Sequence, residues 1–264
     1  MRWTAVSAIV FLLWAQPACA QQAGDADIAA NPGRPTVSTP ATLTPTGYLQ
    51  FETGVLGAAD SPELASQVGL NEVVKLSVTS RIELLFSSNP YAHCHTGGKP
   101  ADGTGGESVG AQVVLLKGEG ARPTLAASYF RSLYGGGVPD LDIGSAHQSL
   151  VLLASADVKG FHYDANVLFN EMAQGGVHRV QFGQTLSISH AAGRRWTIAG
   201  ELWHFTQPFL RGHAVGNLWA VSYAARSNLV LDAGFNRGLT TTSTHWEAFA
   251  GFTYLLPHRL WKRR

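Results

Sequence analysis

Charge is what this sequence has least of. Only 14% of its 264 residues are Asp, Glu, Lys or Arg, against about a quarter in an ordinary soluble domain. So few charges would leave a water-soluble surface poorly covered, whereas a fold with one face in lipid has no such need. A net charge of +1, with no basic stripe before the last few residues, argues against a nucleic-acid partner. Cysteine is nearly absent, at two residues, Cys19 and Cys94, which excludes a disulfide framework. Long apolar runs are missing too. No segment approaches the roughly 18 consecutive apolar residues of a membrane helix, which excludes a helical membrane protein.

The chain opens with Met1-Arg2-Trp3, an apolar run of 11 residues from Thr4 to Trp14, and small residues in Ala18-Cys19-Ala20. That order of basic, apolar and small residues is expected of a secretory signal peptide over residues 1–20. Cys19 raises lipidation as a rival, but Gln16-Pro17-Ala18 lacks the branched apolar residue such signals carry, so cleavage after Ala20 is favoured. The mature chain then keeps Cys94 alone.

Residues 21–46 are rich in Pro, Ala and Thr and show no periodicity. They are expected to form an extended lead-in on the periplasmic side, or to fold into the mouth of the domain that follows. From Gly47 to Leu256 the character changes, and segments of about ten residues alternate apolar and polar. In 161–171 (FHYDANVLFNE), Phe161, Tyr163, Ala165, Val167 and Phe169 point one way. His162, Asp164, Asn166 and Asn170 point the other, with Leu168 as the one apolar intruder. Period two over this length predicts a strand with one apolar and one wet face. The same reading places strands at 48–58, 70–78, 81–87, 108–117, 124–133, 148–158, 177–190, 195–205, 215–225, 228–239 and 245–255, about twelve in all.

With the lead-in on the periplasmic side, the odd-numbered connections face outward. The longer ones, 59–69, 88–107, 134–147 and 206–214, are all odd, and the tight ones near Ser80, Glu119, Lys159, Ala192 and Arg226 are all even. Long outer loops alternating with tight inner turns mark a bacterial outer-membrane barrel. Residues 172–176 and 240–244 are short odd connections and break the rule. The wet faces carry Asn, Gln, Ser, Thr, Gly and His rather than the Lys and Glu of a soluble β-sandwich. Trp196, Trp219, Tyr223, Trp246 and Tyr254 on the apolar faces suit an interfacial girdle. The expected fold class is therefore all-β, a closed antiparallel transmembrane β-barrel of about 12 strands.

Asn31 to Pro40 (NPGRPTVSTP) and Thr44 to Gly54 (TPTGYLQFETG) resemble the opening of the MetA-pathway of phenol degradation proteins, with its R-P motif and Gly-x-x-Gln-Phe-Glu-x-Gly strand. Leu231 to Leu239 (LDAGFNRGL) and Ala250 to Tyr254 (AGFTY) resemble that family's last hairpin. The resemblance implies an outer-membrane transporter with aromatic compounds as cargo. It supplies no catalytic motif. The tail 257–264 (PHRLWKRR) departs from it, because outer-membrane proteins commonly end on an aromatic residue.

His93-Cys94-His95 has metal-ligand chemistry. Adjacent residues rarely all reach one ion, so solvated residues of a Gly-rich loop are the favoured reading, and no metal or cofactor is expected. Disulfide-linked dimerisation through Cys94 is disfavoured as well. Gly106-Glu107-Ser108-Val109-Gly110 matches the G-x-S-x-G pattern of a nucleophile elbow. The flanking residues do not supply the strand-to-helix turn that such an elbow needs, so an enzyme is not expected. The runs at 103–106 and 135–137 lack the G-K-[ST] ending and helix of a phosphate cradle.

The pore-lining candidates are Gln50, Glu52, His162, Asp164, Asn166, Asn170, Glu201, Asp232, Asn236 and Glu247. Each could equally be polar packing in a wide interior. The expected partners are outer-membrane lipid and a small solute, and nothing in the sequence fixes an oligomeric state. A passive pore for small aromatic or hydrophobic molecules is the leading expectation. A non-transporting structural or surface-binding barrel is the alternative, favoured if the lead-in or inward bulky residues such as Trp203 and Phe249 block the lumen.

Overall fold

The computed structural model describes residues 28–62, 64–96, 99–138 and 146–261. The signal peptide expected over residues 1–20 and the basic end Lys262-Arg263-Arg264 lie outside the described residues. Thirteen strands follow in order: β1 Leu49–Ala59, β2 Ser66–Ser77, β3 Ile82–Thr96, β4 Lys99–Gly103, β5 Glu107–Leu116, β6 Thr124–Tyr134, β7 Gln148–Val158, β8 Phe161–Gln174, β9 Val177–Ala191, β10 Trp196–Gln207, β11 Gly212–Arg226, β12 Leu229–Gly238 and β13 Trp246–Leu255. Neighbours pair antiparallel, β3 skips to β5, and β13 returns to β1 through a register that puts Gly54 opposite Gly251. Strand β4 pairs only with β3. The wall is therefore a closed antiparallel barrel of twelve strands.

Closure leaves every wall strand with two partners, so no edge is exposed. The alternation seen in the sequence decides what each face meets. On β10, Leu202 is 64% exposed, while its neighbour Trp203 is 2% exposed. The same inversion runs round the wall. Leu150, Leu152, Ile198, Trp219 and Leu231 face outward, and Gln50, Glu52, Glu201, Asn236 and Thr253 are buried inside. An exterior this apolar would be driven to associate in water, and lipid is the solvent it fits.

Both chain ends of the barrel and the turns 78–81, 159–160, 192–195 and 227–228 lie at one end. At the 159–160 turn Lys159 and Gly160 both take positive φ (51° and 83°), as a two-residue hairpin turn requires. At the other end, strands reach further than the sequence suggested. β3 runs to Thr96 and folds back through β4, so the Gly-rich segment read as a loop contains a hairpin.

That hairpin corrects the reading of His93-Cys94-His95 as solvated loop residues. In a strand, neighbours point to opposite faces. Cys94 is 1% exposed and packs inward with Leu64, Ala92 and Val138. His93 points away and shares Asp102 with the Tyr91 hydroxyl, each at 2.8 Å. His93 first, and then Tyr91, hold the Asp102 carboxyl below the usual range. The two histidines and the thiol thus do not face one ion.

The described part of the C-terminal tail turns back beneath β1. Leu260 N–H donates to Gly47 O at 2.8 Å, and Arg259 Nε donates to Thr46 O at 2.9 Å.

Candidate functional site: the barrel lumen

The buried residues lie inside the barrel, and part of what they pack against is the chain's own N-terminal segment. Residues 31–44 run within the lumen. This stretch has too few apolar residues to hold itself there, so polar side chains of the wall hold it.

At its start, Gln50 of β1 both accepts from Asn31 N–H and donates to Asn31 O, each at 2.8 Å. Glu52 accepts Gly33 N–H at 2.9 Å and pairs with Lys75 Nζ at 2.5 Å. Arg34 reaches Asp232 of β12 at 3.1 Å. The amides of Val37 and Ser38 donate to the two oxygens of Glu201 on β10, at 2.7 and 2.6 Å. Ser38 Oγ lies 2.8 Å from Thr185 of β9. Asn166 of β8 accepts Thr39 N–H at 2.7 Å and donates to Thr39 O at 3.0 Å. Ala41 N–H donates to Ser155 of β7, and Gln112 of β5 donates to Pro40 O. Finally Thr44 gives both N–H and O–H to Glu83 of β3.

From Arg34 on β12 to Thr44 on β3 the contacts step down the wall strands, with Pro40 on β5 and Ala41 on β7 exchanged, so the segment runs around the inner wall back toward β1. The geometry allows one lap. Twelve tilted strands spaced about 4.8 Å give a wall roughly 75 Å around. Some 5 Å further in, at half the usual sheet-packing distance, the path shortens to about 45 Å. The fourteen residues 31–44, fully extended, span roughly the same length. The segment is a collar. Seven of its amides (31, 33, 37, 38, 39, 41 and 44) and three of its carbonyls (31, 39 and 40), which a dry interior would leave unsatisfied, find a wall side chain.

Two glycines make room for it. Gly54 and Gly251 face each other across β1 and β13. A Cβ on Gly54 would come within 2.5 Å of the Arg34 guanidinium, and one on Gly251 within 2.9 Å. Their missing side chains form the slot in which Arg34 lies.

Against the collar stands a cavity of about 400 Å³. Collar residues Gly33 to Thr42 form part of its lining. Its wall bears an apolar belt, including Leu56, Leu85, Phe130, Leu168, Phe205 and Phe249, set among amides and hydroxyls such as Asn71, Asn89 and Ser149. Leu168, the intruder in the alternation of β8, is part of this belt.

The ten residues singled out in the sequence all sit on inward positions of the register. Eight of them fall into two overlapping groups, with Glu52 and Asn166 in both and His162 and Asp164 in neither. Gln50, Glu52, Asn166, Glu201 and Asp232 hold the collar, and Glu52, Asn166, Asn170, Asn236 and Glu247 line the cavity. Asn236 accepts from Trp203 Nε1 at 2.7 Å and donates to Glu247 at 2.9 Å. Asp164 accepts from Ser155 at 2.5 Å, which in turn accepts from the collar. His162 lies nearer the mouth between Asp164 and Asp157. Lys75, Glu83, Gln112, Ser155 and Thr185 were missed. Lys75 and Glu83 carried a legible signal, each being a lone charge among apolar neighbours.

Ser108 lies within strand β5, opposite Ser87 and beside a bulge at Glu107, and a strand rather than a helix continues from it, so the G-x-S-x-G match forms no elbow. Among the described residues, no group of three or more His, Cys, Asp or Glu could hold a metal ion.

No protein-family model matches the sequence, and no curated protein matches it significantly. Solved structures do match in fold. The COG4313 outer membrane channel from Pseudomonas putida F1 superposes with a TM-score of 0.58 at 12% identity, covering 82% of this chain and 98% of that one. The NanC porin gives 0.55 at 9% identity, covering 78% of this chain and all of the other. The chain thus shares the architecture of outer-membrane channels and porins.

Proposed function

We propose that this protein is an outer-membrane channel for passive passage of small apolar or aromatic molecules, exported by the signal peptide at residues 1–20. The observation that carries the reading is the apolar belt inside the lumen. A purely structural barrel could fill its interior with polar packing, and a general porin would line a wide channel with charge. Here Phe130 and Phe249, with Leu56, Leu85 and Leu168, instead line a cavity large enough for a one-ring solute. The resemblance of residues 31–40, 44–54, 231–239 and 250–254 to the MetA-pathway proteins points to the same cargo. The COG4313 and NanC structures support the architecture and leave the solute to the lumen's own chemistry.

The collar favours a second reading. A segment clamped around the lumen at eight strands narrows it, and a barrel closed there would serve a structural or surface-binding role. Flux separates the two. Purified protein in liposomes is compared for entry of membrane-impermeant one-ring aromatics and of sugars of similar size. Faster aromatic entry supports the channel reading. No entry of either, from protein shown to be folded, removes it and leaves the structural barrel.

A further inference from the structure

The lumen carries an unbalanced charge. Between its two mouths, among the described residues, the inward side chains include the carboxylates of Glu52, Glu83, Asp164, Glu201, Asp232 and Glu247. Nearer the mouth His162 bonds Asp164, and the two fixed cations are Lys75 of β2 and Arg34 of the collar. Both are committed, Lys75 to Glu52 at 2.5 Å and Arg34 to Asp232 at 3.1 Å. Glu83 and Glu201 are met by amides and hydroxyls of the collar and of Ser77 instead. Dipoles of that kind solvate a carboxylate without cancelling its charge.

The cavity adds a second, independent feature. Phe130 and Phe249 line it half-buried, and an aromatic face attracts a cation at close range. Arg34 already uses Phe249 in this way, with its Cζ 5.9 Å from the ring centroid. Asn71, which also lines the cavity, carries a buried Oδ1 that accepts no hydrogen bond. Carboxylates, aromatic faces and an unused acceptor are the groups that receive an organic ammonium. They repel an organic anion of the same size. A narrow, low-dielectric passage concentrates such a field.

We infer that the lumen selects by charge, admitting cationic and neutral solutes and rejecting anions. The cargo would then be an amine-bearing or uncharged apolar molecule rather than an aromatic carboxylate. This rests on the channel reading above and names the solute class for the same lumen.

The test is the reversal potential of the full-length mature protein in a planar bilayer under a potassium chloride gradient. It is paired with liposome entry of phenyltrimethylammonium and of benzenesulfonate, both permanently charged. The expected result is a potassium-to-chloride permeability ratio of about ten or more, in line with focusing by a like-charged cleft, and ammonium entry far ahead of sulfonate. Lys75→Gln should raise the ratio and Glu83→Gln should lower it. Should either variant fail to fold, the ratio for the unaltered protein decides alone. Current without cation preference, or with anion preference, overturns the inference and leaves the channel reading standing. Absence of any current from folded protein removes the channel reading, and the inference falls with it.

Discussion

Arg34 and Asp232 lie 198 residues apart in the chain and meet at 3.1 Å inside the barrel, with the guanidinium resting between Gly54 and Gly251. The Asp232 side chain is 2% exposed, so its charge depends on this partner. Arg34→Ala would leave a buried carboxylate without its countercharge, a loss of about 3 kcal/mol or more. The barrel keeps its wall, so the loss falls on the docking of the collar. Gly54→Leu should act in the same direction with no change of charge, because its Cβ alone meets the guanidinium. The expected outcome for both is a larger single-channel conductance and faster proteolysis around residues 31–44. Unchanged conductance in both would mean that the collar does not bound the passage.

Glu201 offers a finer test of the clamp. Its carboxylate receives two collar amides and the Ser38 hydroxyl within one short stretch. Replacing it with Ala strands those donors at roughly 1–3 kcal/mol each. Glu201→Gln keeps one acceptor oxygen and should lose much less. Hydrogen exchange at Val37 and Ser38 reads this directly. The Ala variant should exchange at least 10-fold faster, as ~1.4 kcal/mol implies, with the Gln variant between it and the parent. Equal protection in all three would mean that the collar is held elsewhere.

The wall was legible in the sequence and the collar was not, for reasons of range. Period-two alternation is local, so Phe161 to Phe169 on one face and Asp164, Asn166 and Asn170 on the other announced β8 and its inward side. The tight turns at Lys159-Gly160 and near Arg226 marked where neighbouring strands reverse. Residues 31–44 have no period of their own. Their path is imposed by side chains 127 to 198 residues away, such as Asn166, Glu201 and Asp232. The same long range hid the double use of the lumen residues, since nothing local distinguishes Glu201, which grips the collar, from Glu247, which faces the cavity. Leu168 misled for the opposite reason. It broke the alternation because the lumen has an apolar belt, so the exception was the signal.

Cys94 sits at the outer end of β3 with 1% exposure, between Ala92 and the loop residues Leu64 and Val138. A thiol so placed does not meet an aqueous reagent or a second chain. Protein lacking residues 1–20 should therefore remain monomeric with respect to disulfides under oxidation. Its thiol should react with a maleimide only after denaturation. Rapid labelling of folded protein would show that the loops over β3 open in solution.

The assignment of faces can be tested with one residue pair on one strand. Leu152 and Ser149 of β7 lie a few residues apart, and the alternation sends Leu152 outward, 44% exposed, and Ser149 into the cavity. In lipid, Leu152→Arg places a charge near the middle of the hydrocarbon layer, which costs about 2–4 kcal/mol. Ser149→Arg places the same charge in a polar, acidic lumen, where water and the carboxylates can receive it, and the expected loss is below about 1 kcal/mol. Unfolding by denaturant from lipid vesicles measures both. In a soluble barrel neither arginine would enter hydrocarbon, and Leu152→Arg, already half exposed, would be the milder change. The order of the two losses therefore decides which solvent the outer face was built for.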